Sequence, residues 1–372
     1  MKNKILYILP SEEIGGTEKM VIVLAKGISK AGFEPVVLTL QRRGFFHKML
    51  DANHLRNYFL DVKKKPLQAI VRTLFIFLKE KPRIMHSFLF AGNMFARCLR
   101  IFFWIPLVCS QRSTDDWKKA IHWKIEKFTS FLCPLIISNS KAGKRVLIEK
   151  AGVNPYKIRV IPNGIDLEQI REKLKLAKTF HHTEIIVGSI GNLRKAKGYN
   201  VLIDAAEIIC KKRKGIRFEI LGKGPLESRL KEKIQKLNLV ESVKLYGFVE
   251  DVYNYMVNFD IVVIPSIWEG FPVVALEAMA CGKPVIATDA GDLPEIVENG
   301  KTGIIVEHGK PEALANAIIL LLSKPEMRRQ MGNNALKRVE KFSSDTMVKK
   351  YCEIYNFLLS ERNETKLVVN SS

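Results

Sequence analysis

The stretch Ile261-Val262-Val263-Ile264-Pro265-Ser266-Ile267-Trp268-Glu269-Gly270-Phe271-Pro272-Val273-Val274-Ala275-Leu276-Glu277 decides how the chain is read. It opens with an apolar, β-branched run of the kind that forms a buried strand. Pro272 suits the first position of the helix that follows, where its missing N–H costs nothing. Glu269 then stays in the strand–helix loop, and Glu277 falls in the second helical turn. Two carboxylates thus flank one helix N-terminus, whose N–H groups hold phosphate. A carboxylate does not bind phosphate, but it accepts hydrogen bonds from sugar hydroxyls. The pattern suits a sugar attached to a phosphate-bearing carrier. The plainer reading, an acidic loop and one surface Glu on a helix, stays open on spacing alone.

Outward from this stretch the same alternation repeats. Strands are expected at Ile185–Ile190, Arg217–Leu221, Val243–Tyr246, Val285–Ala287 and Gly303–Val306. Helices are expected at Asn200–Lys211, Leu226–Lys236, Val252–Tyr255, Val273–Ala280 and Pro311–Leu321. The first half behaves alike, with strands at Lys4–Leu9, Pro35–Leu40, Ile84–His86, Leu107–Ser110, Leu135–Ser138 and Lys157–Ile161. Its helical segments are Thr17–Ala31, Leu67–Lys79, Lys118–Phe131 and Lys141–Glu149. Such alternation specifies α/β domains with parallel sheets covered by helices on both faces. The turn Pro162-Asn163-Gly164 and the charged stretch after Ile165 mark a boundary. The expected division is 1–165, 166–342, a helix over 343–360 crossing back to the first domain, and a flexible tail over 361–372.

A chain of 372 residues with 47% apolar content is long enough for two ordinary domains with substantial cores. Its six cysteines have no metal-ligand spacing and lie in or beside apolar segments, which reads as reduced, buried thiols. The first apolar stretch, Ile5 to Leu9, is too short for a secretion signal and reads as a first strand. The tract from Ile101 to Cys109 is far short of a membrane span. The net charge of +22 is uneven: residues 1–165 hold 29 Lys and Arg against 11 Asp and Glu, the remainder 31 against 27. A positive field over the first half suits an anionic partner. Nucleic acid is disfavoured, because no zinc finger, zipper or other known binding module is present.

Three glycine-rich turns follow strands. Gly15-Gly16-Thr17-Glu18 opens the first helix, where backbone can approach an anion closely. It matches neither the dinucleotide fingerprint nor a Walker loop. Gly188 to Leu193 leads into Arg194, Lys195 and Lys197-Gly198, cations able to neutralise a departing diphosphate. Gly222-Lys223-Gly224-Pro225 suits a base or ribose at the sheet's carboxyl edge. Each has a bland alternative as a simple turn or a solvated basic loop.

Together, Gly15-Gly16, Pro162-Asn163-Gly164-Ile165-Asp166, Gly191 through Gly198, Gly222 through Pro225, and Glu269 through Glu277 resemble retaining glycosyltransferase family 4, the glycosyl transferases group 1. The resemblance runs from Lys4 to about Tyr355 and is strongest over Val187–Val306. It implies the glycosyltransferase-B fold: two Rossmann-like domains facing across a cleft. It implies that Glu269 meets hydroxyls of the transferred sugar, that Glu277 accepts from the nucleotide ribose, and that Lys197 meets the diphosphate. Gly15 and Gly16 would approach the diphosphate from the other domain, Asn192, Gly222 and Gly224 would line the donor site, and Phe271, Pro272 and Val273 would contribute backbone around sugar and phosphate. The donor would be UDP- or GDP-linked, with no cofactor and no bound metal.

Two departures stand out. Asn192 occupies a position where relatives often carry Arg, leaving Arg194 as the nearest cation. The first-domain His of many relatives is missing from Val108-Cys109-Ser110-Gln111-Arg112-Ser113; Arg112 and His86 are the candidates to replace it. Arg112 substitutes electrostatically, not as a neutral base. The expected reaction moves a hexosyl or N-acetylhexosaminyl group, with retention, to a lipid-linked or cell-surface glycan. The basic, aromatic segments Arg72–Lys79 and Arg97–Trp104 suggest peripheral attachment to an anionic membrane surface on the cytoplasmic side. A nucleotide-sugar epimerase and a non-catalytic nucleic-acid- or glycan-binding protein remain the competing readings.

Overall fold

In the computed structural model, residues 3–11, 15–112, 117–180 and 183–370 are described, with side chains to residue 360. The chain forms two compact units, residues 1–164 with 344–372, and 165–343.

The first unit runs β1 (Lys4–Leu9), α1 (Gly16–Lys30), β2 (Glu34–Thr39), α2 (Phe45–Ala52), β3 (Arg56–Phe59), α3 (Pro66–Glu80) and β4 (Ile84–Phe88). It continues through α4 (Leu89–Phe103), β5 (Leu107–Gln111), α5 (Ala120–Thr129), β6 (Leu135–Ser138), α6 (Lys141–Ala151) and β7 (Ile158–Val160). The seven strands are parallel, in the order β3-β2-β1-β4-β5-β6-β7. Alternation along β1 divides the core in two. Ile5, Tyr7 and Leu9 face α1 and α2, while Leu6 and Ile8 face the layer built from α3, α4, α5 and α6.

The second unit contains α7 (Leu167–Leu176), β8 (Ile185–Ile190), α8 (Tyr199–Cys210), β9 (Ile216–Leu221), α9 (Glu227–Lys236), β10 (Val243–Gly247), α10 (Tyr253–Met256) and β11 (Ile261–Ile264). After these come α11 (Val273–Ala280), β12 (Val285–Thr288), α12 (Leu293–Ile296), β13 (Gly303–Val306), α13 (Pro311–Ser323) and α14 (Pro325–Val339). Its sheet is also parallel, ordered β10-β9-β8-β11-β12-β13. The order reverses between β8 and β11, a topological switch point of the kind where open α/β sheets bind ligands.

The last helix, α15 (Ser344–Asn370), belongs to the first unit. Met347, Val348, Tyr351, Tyr355, Leu358 and Leu359 are buried there against α1 and the sheet. Its backbone stays helical to Asn370, although the composition from Asn363 suggests an irregular tail. That segment lacks Gly and Pro, so nothing in it stops a helix already started.

Three further details depart from the sequence reading. Pro272 is the N-cap of α11 and not its first helical residue. Helix α4 follows β4 with no intervening loop, and Leu89 turns the corner at φ +64°. Cys98 is exposed on α4, whereas Cys109 and Cys133 are buried.

Candidate active site

In the second unit the loops after β8 and β11 meet at the carboxyl edge of the sheet. The Ile267 N–H donates to the Ala196 carbonyl at 2.8 Å, which ties the two loops together. Gly198 makes this approach possible. Its φ is +66°, and a Cβ there would lie 1.8 Å from the Pro265 carbonyl oxygen. The side chains then converge: Lys197 Nζ forms an ion pair with Glu269 Oε1. Ser266 Oγ donates to the same carboxylate oxygen at 2.9 Å. The Ser266 carbonyl in turn accepts from Thr288 Oγ1 at 2.6 Å, which anchors the loop to the end of β12. Glu269 is therefore held from two sides, yet it and Lys197 both keep part of their surface open, 11% and 28%.

Glu277 lies on α11, beside Tyr253 of α10. Burial first, and then the charge of Glu277, push the Tyr253 phenol far above its ordinary range. The carboxylate thus has an un-ionised hydroxyl beside it. Val273 and Val274 begin α11, so their N–H groups have no intrahelical acceptor. Pro272 contributes no side-chain cap. Phe271 is buried against Phe342. This places an anion-favouring helix end between the two carboxylates in sequence.

The remaining second-unit candidates surround the β8 loop. A Cβ on Gly222, whose φ is +143°, would lie 2.0 Å from the Gly191 carbonyl oxygen, and one on Gly224 would press on the Leu193 backbone. The Leu193 N–H donates to the Lys223 carbonyl at 3.0 Å. Asn192 and Arg194 sit on the exposed side of this double loop, and the Arg194 N–H donates to the Asn192 carbonyl at 2.8 Å. Lys197, Asn192, Gly222, Gly224, Glu269 and the start of α11 thus share one sheet edge, while Arg194 projects to solvent.

The first-unit candidates form a separate group. Gly15 caps α1, and its N–H donates to Glu18 Oε2 at 2.9 Å; Ser11 Oγ donates to the other oxygen of Glu18. Among the described residues nothing lies within 4 Å of where a Cβ on Gly16 would stand. Arg112 follows β5, is buried, and donates to Asn163 Oδ1, with Glu18 and Tyr351 beside it. Burial lowers the guanidinium pKa, and Tyr351 and Glu18 oppose that. Its Nε and Nη1 are buried without an acceptor among the described residues. Ser113 lies outside the described residues.

His86 is placed elsewhere. It lies in β4, the central strand, fully buried, with Nδ1 2.6 Å from the Tyr355 hydroxyl and Nε2 2.8 Å from Ser110 Oγ. Burial, with the charge of Arg112, drives its pKa well below the ordinary range. Both ring nitrogens are occupied by structural partners. Sequence reasoning missed Ser266, Tyr253, Asn163 and Glu18 as supports; the spacing of Glu18 three residues after Gly15 was the available signal, an acidic residue at the third helical position.

Two family models match the chain. "Glycosyltransferase Family 4" matches residues 14–169, and "Glycosyl transferases group 1" matches residues 170–338. The capsular polysaccharide biosynthesis glycosyltransferase CapM of Staphylococcus aureus is 30% identical over 314 residues, covering 79% of this chain and 82% of that protein. The N-acetylgalactosamine-N,N'-diacetylbacillosaminyl-diphospho-undecaprenol 4-alpha-N-acetylgalactosaminyltransferase of Campylobacter jejuni is 28% identical over 291 residues, 76% of each chain. Among solved structures, Anabaena HepE in complex with UDP and glucose superposes with a TM-score of 0.82 at 23% identity, over 95% of this chain and 99% of that one. The fold is that of the glycosyltransferase-B enzymes.

Proposed function

The chain belongs to the glycosyl transferases group 1 family and is a glycosyltransferase, and from that premise we propose that it moves a hexosyl or N-acetylhexosaminyl group from a UDP- or GDP-linked sugar to a lipid-linked or cell-surface glycan, with retention of anomeric configuration. The observation that carries this reading is the Lys197–Glu269 pair, held at the switch point of the second sheet beside the N-terminus of α11. Sugar transfer needs stabilisation of a cation-like sugar and of a departing diphosphate. Glu269 meets sugar hydroxyls. Lys197 exchanges the Glu269 carboxylate for the donor's phosphate, and the first amides of α11 add their field. Glu277, with the Tyr253 hydroxyl, takes the ribose. Arg194, exposed beside Lys197 on the β8 loop, adds positive potential at the rim of this edge.

Glycosidases set their two carboxylates across the scissile bond. Here Glu277 is assigned to the nucleotide, so transfer proceeds on the front face, the donor phosphate accepting the acceptor's proton. The protein cations take the role that a metal fills in other transferases. UDP in the HepE structures supports a uridine nucleotide, and the diphospho-undecaprenol in the name of the Campylobacter relative supports a lipid-linked acceptor. Such an acceptor resides at a membrane surface. Among the described residues no helix is long and apolar enough to cross a membrane.

The test is a panel of UDP-, GDP- and ADP-sugars offered with a polyprenyl-diphosphate glycan, followed by product mass and linkage analysis. An α-linked product from an α-linked donor is expected. A free epimer formed from donor alone, or an inverted linkage, overturns the reading.

A further inference from the structure

Helix α3 is apolar on both sides. Ala69, Ile76 and Phe77 face the sheet and are buried. Leu67, Ile70, Val71, Leu74, Phe75 and Leu78 recur at helical spacing on the opposite side, and all are exposed, Leu67 by 79% and Leu78 by 74%. The neighbouring helices of the same layer repeat the pattern. Ile101, Phe102 and Trp104 stand out from the end of α4, with Trp104 82% exposed. Ile121, Ile125 and Phe128 form an exposed stripe on α5, which Phe131 extends.

These stripes belong to one surface. Phe77 of α3 stacks on Phe103 of α4 at 4.0 Å. Arg97 of α4 binds Glu126 and Thr129 of α5 at 2.5 and 2.8 Å. Each helix runs back from the carboxyl edge of a parallel sheet, so Leu78, Phe102, Trp104, Phe128 and Phe131 all lie toward its amino edge. More than half of the exposed large apolar side chains among the described residues lie in this layer. A patch of this extent on a soluble fold marks an interaction surface.

Charge identifies what covers it. Among the described residues from Val62 to Phe131, the carboxylates are Glu80 and Glu126, and both are buried. The exposed ionic groups of the layer are cations, among them Lys63, Lys64, Lys65, Lys79, Lys119 and Lys124. Apolar stripes whose exposed charged neighbours, among the described residues from Val62 to Phe131, are cations match a lipid surface of negative charge, where the side chains enter the acyl boundary and the cations meet head groups. A second copy of the chain would set this positive face against itself.

We propose that the α3–α4–α5 layer is the face by which the protein lies on an anionic bilayer, spanning none of it. The inference rests on the lipid-linked acceptor of the proposed function and names the surface that brings the enzyme to it. The test is flotation of the full chain with vesicles of phosphatidylcholine alone or mixed with phosphatidylglycerol. Binding to the mixed vesicles is expected, weakening with salt. Leu74→Glu with Phe75→Glu lowers the partition by at least about tenfold. Lys63→Glu, Lys64→Glu and Lys65→Glu together do so as well, each lysine being worth roughly fivefold near an anionic surface. All five positions are exposed, so circular dichroism melting is unchanged.

Failure of the wild-type chain to float with anionic vesicles at low salt overturns the proposal, as does undiminished flotation of Leu74→Glu with Phe75→Glu. A wild-type dimer that these substitutions dissociate also overturns it and assigns the face to a second copy. Calorimetric titration with UDP, GDP and ADP separates this inference from the function it rests on. A chain that binds a nucleotide and ignores vesicles sinks the docking face alone. One that binds vesicles and no nucleotide sinks the donor site alone.

Discussion

Glu269 is held by a cation and a hydroxyl from two different loop positions, and this makes its contribution separable from folding. Glu269→Gln keeps the shape and an oxygen for Ser266, but removes the charge. Transfer is expected to fall by at least about 100-fold, the usual consequence of losing one preorganised electrostatic group. The melting profile should stay in place, and a variant with normal kinetics removes Glu269 from the mechanism. Gly198 is the opposite case. Its positive φ and the Pro265 carbonyl leave no room for a methyl group, so Gly198→Ala should cost about 2 kcal/mol or more of stability. Denaturant titration reads this directly, and an unchanged midpoint contradicts the loop-to-loop contact. The sequence makes Glu269 and Lys197 legible as a loop acid and a loop cation. It does not reveal their ion pair, because contact between residues 72 apart depends on which strands become neighbours. His86 was ambiguous for the same reason: its two partners, Ser110 and Tyr355, come from distant segments.

Elements were legible where punctuation and periodicity agreed. Strands β8 and β11 are short apolar runs ended by turn residues, and the sequence locates both. Helix α4 was missed because β4 passes into it through Leu89 with neither Gly nor Pro at the junction. Helix α3 was found, but its outer stripe could not be told from a core face, since apolar residues occupy both sides. The last residue of α3 ties the helix to β1 and β3. Glu80 is buried and accepts from Tyr58 at 2.5 Å and from Lys4 and Arg56 at 2.9 Å. Burial alone would raise the carboxyl pKa, but those three donors bring it down to about 2. The folded value lies below the unfolded one, so the stabilisation is complete above pH about 4.5 and is lost as pH falls toward about 2. Glu80→Gln should therefore flatten the melting temperature's fall over that window. A wild-type-like acid profile in the variant would show that α3 is anchored by other contacts.

At the scale of the whole molecule, the first unit is completed by residues from the far end of the chain. The sheet of β1 to β7 buries one face under α1, α2 and α15, and α15 begins after the second unit has been built. The first unit's native core is thus incomplete until the last segment is in place. Six buried side chains of α15, at roughly 1.5–3 kcal/mol each, contribute on the order of 10 kcal/mol, comparable with the net stability of an ordinary domain. The helix also supplies the polar partner of a buried group: Tyr355 binds His86 Nδ1 and lies 3.3 Å from the Tyr7 hydroxyl. Deletion of residues 344–372 should abolish amide-exchange protection in β1, β4 and β5 while β8, β9 and β11 stay protected. Tyr355→Phe is the milder version, costing about 1–3 kcal/mol through the unsatisfied His86 nitrogen and leaving the fold intact. If the deleted chain kept full protection in β1 and β4, the terminal helix would be a surface addition.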